Sequence, residues 1–288
     1  TSGGTRRVRD AVDFPDGPNP FSERELTTVG GQIFFSAESL IDGIDTGREL
    51  WVTDGTELGT LLVMNIFEEV ESGGVTFVRS SSPRSLTGVG GTVFFSASDG
   101  IHGRELWKSS GSSGALLVKD INTENGTNAF ASSSPDYLTA VGGILFFAAD
   151  DGINGTELWK SDGTEAGTVL VKDIFEGTSG SAPRELTNVN GTLFFTADDD
   201  INGPELWKSD GTTAGTVLVK DIFESEGIGS YLSELTAVGN TLFFSVNDRI
   251  HGYELWKSDG TEAGTVLVKD INTRNNSYSS SYPHQLTA

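Results

Sequence analysis

Three sets of residues in this chain carry groups able to do chemistry. The first is an acidic turn, written Asp150-Asp151-Gly152-Ile153-Asn154-Gly155 and again Asp198-Asp199-Asp200-Ile201-Asn202-Gly203. Clustered carboxylate and amide oxygens on a tight loop suit calcium. Asp150, Asp151, Asn154, Asp198, Asp199, Asp200 and Asn202 are therefore the candidate metal ligands, and calcium the only cofactor expected at all. The spacing matches the first half of an EF-hand loop and lacks its closing Glu. The equivalent turns, Ser98-Asp99-Gly100 and Asn247-Asp248-Arg249, depart from it, and Arg249 would oppose a cation. The competing reading, in which Asp and Asn cap their own backbone, is favoured.

The second set is a Glu that precedes Leu-Trp five times: Glu49, Glu105, Glu157, Glu205 and Glu254. A carboxylate inside a strand is costly to bury unless it is hydrogen-bonded. A catalytic carboxyl needs a raised pKa and one privileged copy. A residue present in every unit reads as structural, accepting backbone or Thr hydroxyl hydrogen bonds within its own sheet. The third set is aromatic. Trp51, Trp107, Trp159, Trp207 and Trp256 could stack on sugars, but their mid-strand position says core. Phe130, Tyr137, Tyr231, Tyr278 and Tyr282 lie in or beside connectors and are the better ligand contacts.

Other chemistries are excluded. The chain has no Cys, which removes thiolate metal sites and Cys nucleophiles. No G-x-S-x-G, H-E-x-x-H, Walker or dinucleotide pattern occurs. His102 and His251 occupy one turn position that elsewhere holds Asn154 and Asn202, so a polar turn residue is expected rather than a metal ligand. The formal net charge of −22 argues against nucleic acid and anionic lipid. No apolar run is long enough to span a membrane. The chain starts at Thr1 and its only Met is Met64, so a processed or excised piece is expected.

The elements that must position these groups follow from repetition. The Trp residues are spaced by 56, 52, 48 and 49 residues. Leu-Thr recurs at Leu26, Leu86, Leu138, Leu186 and Leu235, and paired Phe at 34–35, 94–95, 146–147, 194–195 and 243–244. A period near 50 residues points to propellers, solenoids or arrays. One unit reads Leu186-Thr-Asn-Val, the hairpin signal Asn190-Gly191, Thr-Leu-Phe-Phe, an acidic turn, Glu-Leu-Trp-Lys-Ser, Asp210-Gly-Thr-Thr-Ala-Gly215, then Val-Leu-Val-Lys. That is four strands of about four to seven residues joined by three turns.

Neighbouring strand residues point to opposite faces, so paired Phe must be hidden on both. Sheets covered on both faces by copies of themselves are propeller blades. The expectation is an all-β fold, a β-propeller of about five four-stranded antiparallel blades. The alternative is part of a six- or seven-bladed ring or a longer array. The repeats run 26–85, 86–137, 138–185, 186–234 and 235–285, with the propeller core at 26–271. Residues 1–25 form an N-terminal extension with a lone strand, and 272–288 a connector and the start of a further repeat.

Glu-Leu-Trp-Lys-Ser-Asp-Gly-Thr stands complete at 157–164, 205–212 and 254–261, and Glu49 to Thr56 keeps its frame. This resembles the ELWxxDGT repeat family of bacterial proteins. The resemblance implies an exported or surface-associated chain and carries no defined activity.

These readings lead to an expectation of a non-enzymatic extracellular or cell-surface scaffold, with loops that bind a protein, a glycan or another subunit. The ground is the near equivalence of the units, since catalysis needs residues that differ from their repeats and converge. The alternatives are a lectin-like propeller, a structural subunit joined to its neighbours through the terminal stubs, and a polysaccharide-acting enzyme.

Overall fold

The computed structural model describes residues 26–41, 44–67, 70–72, 75–77, 80–123, 131–223, 229–273 and 279–288. The N-terminal extension 1–25, Phe130 and Tyr278 lie outside the described residues. Strands β1 (Leu26–Val29), β2 (Gln32–Ile41), β3 (Ile44–Thr53) and β4 (Leu61–Met64) form a first sheet. A short hairpin follows, β5 (Val70–Ser72) and β6 (Val75–Phe77), inside a connector that the sequence showed only as a loop. The second sheet is β7 (Arg84–Val89), β8 (Thr92–Ser98), β9 (Arg104–Ser109) and β10 (Leu116–Lys119). The third is β11 (Asp136–Val141), β12 (Ile144–Asp150), β13 (Thr156–Ser161) and β14 (Val169–Lys172). The fourth is β15 (Arg184–Val189), β16 (Thr192–Ala197), β17 (Glu205–Ser209) and β18 (Val217–Lys220). The fifth is β19 (Tyr231–Val238), β20 (Thr241–Asn247), β21 (Tyr253–Ser258) and β22 (Val266–Lys269).

Each of the five is an antiparallel meander in chain order. The fold is therefore all-β, five four-stranded propeller-like blades, with no helix among the described residues. β2 and β3 reach ten residues each, longer than the sequence suggested. The insertion between them extends their ladder to the pairs Leu40↔Asp45 and Ile41↔Ile44.

Turn chemistry sets the register. Asn190 and Gly191 both take positive φ, 48° and 89°, the geometry a two-residue hairpin of right-handed twist requires. The Asp-Gly-Thr-x-x-Gly connection is a closed hydrogen-bond circuit. Asp162 Oδ1 accepts the Thr164 N–H at 2.8 Å and its hydroxyl at 2.7 Å. Thr164 Oγ1 accepts the Gly167 N–H at 2.9 Å, and Thr168 donates its hydroxyl to the Thr164 carbonyl at 2.7 Å. A Cβ on Gly167 would stand 2.1 Å from Asp162 Oδ1, so the second glycine makes room for the carboxylate. The same circuit recurs around Asp54, Asp210 and Asp259.

The chain divides into two compact units, Thr1–Leu138 and Thr139–Ala288, and the boundary falls inside β11. In the first unit, Val29, Phe34, Leu50 and Val63 of the first sheet pack on Leu86, Val93, Phe95 and Trp107 of the second. In the second unit, Val141, Phe146, Leu158 and Val171 of the third sheet pack on Leu186, Leu193, Phe195 and Trp207 of the fourth. Val189, Phe194, Leu206 and Val219 of the fourth sheet pack in turn on Leu235, Leu242, Phe244 and Trp256 of the fifth. In the fourth sheet Phe194 thus faces the following sheet and Phe195 the preceding one, which is why both had to be apolar. Two lysines tie each step within the second unit. Lys208 Nζ reaches the Gly260 carbonyl at 2.8 Å and Lys220 Nζ the Thr265 carbonyl at 3.1 Å, while Lys160 and Lys172 do the same to Gly211 and Thr216.

Candidate functional site

The repeated Glu sits at the joint between one blade and the next. Glu205 is completely buried. It accepts the Ser230 N–H at 2.8 Å and the Ser230 hydroxyl at 2.6 Å, both from the connector, and the Ile222 N–H at 3.1 Å, just past β18. Glu157 takes Ser181 N–H (2.7 Å), Ser181 hydroxyl (2.6 Å) and Phe175 N–H (3.1 Å). Glu49 binds Ser81 and Ile66, Glu105 binds Ser133 and Ile121, and Glu254 binds Ser281 and Ile271 in the same way. The donors are therefore backbone N–H groups, as expected, and connector serine hydroxyls in place of the Thr hydroxyls the sequence suggested. Burial pushes the Glu49, Glu105 and Glu205 carboxyls up to about 7, against the lowering effect of these hydrogen bonds. Burial raises Glu157 as well. Such values suit a general acid, but each carboxyl is enclosed and fully engaged in holding chain. All five Trp side chains are buried, at 5–8% exposure.

The acidic turns cap themselves. Asp151 Oδ1 accepts the N–H groups of Ile153 (2.9 Å) and Asn154 (2.8 Å), and its Oδ2 accepts the Asn154 side-chain amide at 2.8 Å. Asp199 does the same with Ile201 and Asn202. Asp150 and Asp198 accept the N–H of Gly152 and Asp200. No group of three or more His, Asp or Glu is placed to hold a metal ion among the described residues.

Asp99 and Asp248 bind His102 Nδ1 and His251 Nδ1, each at 2.6 Å. An Asp–His pair is two-thirds of a hydrolytic triad. Here it occurs twice, and in the third and fourth blades an Asn makes the same contact, so the ring serves as a turn residue.

One end of the fifth blade breaks the repeat. The register sets Tyr231 opposite Asn247 and Asn247 opposite Tyr253, so three side chains share one face. Tyr253 stacks on Tyr282, with ring centroids 5.4 Å apart. The Arg249 guanidinium lies 5.1 Å from the Phe223 ring and 5.7 Å from the Tyr231 ring. Tyr231 and Tyr282 are exposed, at 60% and 63%. Tyr137, at the start of the third blade, is 38% exposed. The equivalent of Tyr253 in the second blade, Arg104, folds onto the carbonyls of Ser82 and Ser96. Burial lowers its guanidinium to about 10. The sequence flagged Tyr231 and Tyr282 but missed Phe223 and Tyr253. The available signal was that Arg249 and Tyr253 depart from the pattern of the other units.

No protein-family model and no curated protein matches the chain. Its fold is shared by solved peptide hydrolases. A prolyl endopeptidase, from a study of two such enzymes and the role of inter-domain dynamics in catalysis and specificity, superposes with TM-score 0.51 at 12% identity, over 85% of this chain and 34% of that one. A puromycin hydrolase gives 0.49 at 14% identity, over 86% and 38%. A puromycin-hydrolyzing peptidase of Mycobacterium tuberculosis gives 0.47 at 12%, over 88% and 37%. The chain spans little more than a third of the length of these proteins.

At these identities the likeness is one of fold. It nevertheless overturns the expectation of a non-enzymatic scaffold, with its lectin and structural-subunit variants, because a solved protein that shares the fold is a prolyl endopeptidase. The ground for that expectation was blade equivalence. Equivalent blades do not separate a scaffold from an enzyme's propeller, in which chemistry can reside in another part of the chain.

Proposed function

We propose that this chain is the propeller portion of a peptidase-type enzyme. It handles the peptide, and bond cleavage falls to residues outside the five blades. The observation that carries the reading is the superposition on a prolyl endopeptidase, in which 85% of this chain occupies 34% of an enzyme described by its inter-domain dynamics. The blade chemistry agrees. The repeated carboxyls are sealed in joints, and both Asp–His pairs are turn devices. The peptide contact lies at the aromatic end of the fifth blade. There Tyr231, Tyr253 and Tyr282 offer flat apolar faces suited to extended peptide, and Arg249 offers a cation for a carboxylate.

The test uses the purified chain and a panel of short peptides with and without proline. Binding is read by fluorescence anisotropy and cleavage by mass spectrometry. Saturable binding without cleavage, weakened about tenfold or more by Tyr231→Ala or Arg249→Ala, is the expected result. No binding of any peptide up to millimolar concentration overturns the reading. Cleavage by the chain alone overturns the division of labour.

A further inference from the structure

The second blade carries two guanidinium groups that no carboxylate neutralises, in a chain whose net charge is −22. Arg84 lies opposite Ser96 across β7 and β8, and Arg104 opposite Ser98 across β8 and β9. Ser96 and Ser98 are two residues apart on β8, so both arginines stand on one face of the sheet. Carbonyls hold Arg104 in place: Nη1 donates to Ser82 at 3.0 Å and to Ser96 at 3.1 Å, and Nη2 donates to Ser81 at 3.4 Å. These bonds fix the group without cancelling its charge. Its Nε–H and second Nη2–H make no hydrogen bond among the described residues. Arg84 is exposed, and neither arginine has an ion pair among the described residues. Burial first and the Arg84 charge second lower the Arg104 guanidinium, with no carboxylate to oppose them. Asp136, which reaches this blade from β11, is already engaged by the Ser85 hydroxyl at 2.9 Å and the Tyr137 N–H at 2.8 Å.

The first blade shows what is missing. Arg48 occupies the position of Arg104, and Glu38 stands opposite it across β2 and β3, with Oε1 3.0 Å from Nη2. The second blade has Ser98 where the first has Glu38. The third, fourth and fifth blades lack the pair of arginines, with Asp136 and Thr156, Arg184 and Pro204, and Ser233 and Tyr253 at the two positions.

We propose that Arg104 and Arg84 bind a carboxylate brought by a ligand, in the role that Glu38 plays in the first blade. A planar guanidinium offers parallel N–H groups to the two oxygens of a carboxylate. Arg104 supplies the rigid fork, and Arg84 a second charge from the exposed rim. The carboxylate is that of a peptide C-terminus or of an acidic side chain. This inference does not rest on the peptidase reading, and it uses none of the aromatic residues of the fifth blade.

The experiment is NMR on the whole chain with isotope-labelled arginine, the Arg104 Nε–H signal being assigned by its loss in Arg104→Lys. The probes are acetyl-dialanine, its C-terminal amide and acetyl-alanyl-glutamate amide, with inorganic phosphate as the competing anion. The expected result is a saturable shift of the Arg104 signal with dissociation constants of about 1–20 mM for the carboxylate probes, and none for the plain amide. Arg84→Gln, at an exposed position, should weaken binding about fivefold or more. Ser98→Glu rebuilds the arrangement of the first blade. It should shift the Arg104 signal without ligand, abolish binding and leave the melting temperature equal or higher. Binding of one carboxylate probe and not the other supports the site and tells whether it reads a terminus or a side chain. No saturable shift up to about 50 mM, an equal response to the plain amide, tighter binding of phosphate, or undiminished binding by Ser98→Glu overturns the proposal.

Discussion

Replacing Glu205 with Gln should flatten the pH dependence of stability. An unfolded Glu titrates at 4.5, and in the folded chain burial moves Glu205 to about 7. Between these values the folded state binds more protons than the unfolded state, so stability falls as pH rises through that window. The stabilisation is fully present below pH 4.5 and gone above 7. A displacement of this size corresponds to about 3 kcal/mol, to be taken as an order of magnitude. Glu49 and Glu105 add in the same direction. His102 and His251 do too, because the hydrogen bond each ring donates to the Asp99 or Asp248 carboxylate raises it, and that support disappears as pH climbs past the folded value. Urea unfolding followed by Trp fluorescence at pH 5 and pH 8 measures the difference. The native chain should be more stable at pH 5 by several kcal/mol. E205Q should lose about 3 kcal/mol of that difference, even though its amide costs roughly 1–2 kcal/mol at either pH by facing three donors. A native chain equally stable at both pH values, or E205Q with the full native difference, would refute the reasoning.

Trp159→Ala removes a buried side chain and should cost about 3–5 kcal/mol in the same assay; a change below about 0.5 would show that the ring is not core. Gly155→Ala places a Cβ 2.6 Å from the Gly180 backbone nitrogen at a φ of +69°. It should cost roughly 2 kcal/mol or more, and an unchanged melting curve would mean the turn and connector do not touch. Millimolar calcium should leave the melting temperature where sodium at equal ionic strength leaves it, because the turn carboxylates already accept N–H groups. A calcium-specific rise, by linkage, would show a site there.

The blades were legible because two local signals agreed. Asn190-Gly191 and the Asp-Gly-Thr circuits fix the hairpins, and the Phe pairs require both faces to be hidden. What escaped the sequence was non-local. Nothing near Glu205 in sequence says that its partner is Ser230, since the bond forms only when a connector folds back. The hairpin β5–β6 lacks the repeat pattern, so it read as loop. The aromatic end of the fifth blade was half legible: Tyr231 and Tyr282 stood out as connector aromatics. Tyr253 hid inside a strand whose equivalents are Arg48, Arg104, Thr156 and Pro204. The expectation of a scaffold fails because equivalence among these blades says nothing about residues outside them.

The Glu–Ser joint also bears on how such a chain can change its length. Each carboxylate reaches forward only to its own strand end and the connector behind it, from Glu157 to Ser181 or Glu205 to Ser230. A segment cut at matching points in two connectors therefore carries one whole joint with it. Duplicating or deleting that segment in the gene leaves every remaining carboxylate satisfied. Unequal recombination between repeats can thus add or drop a blade without exposing a buried charge.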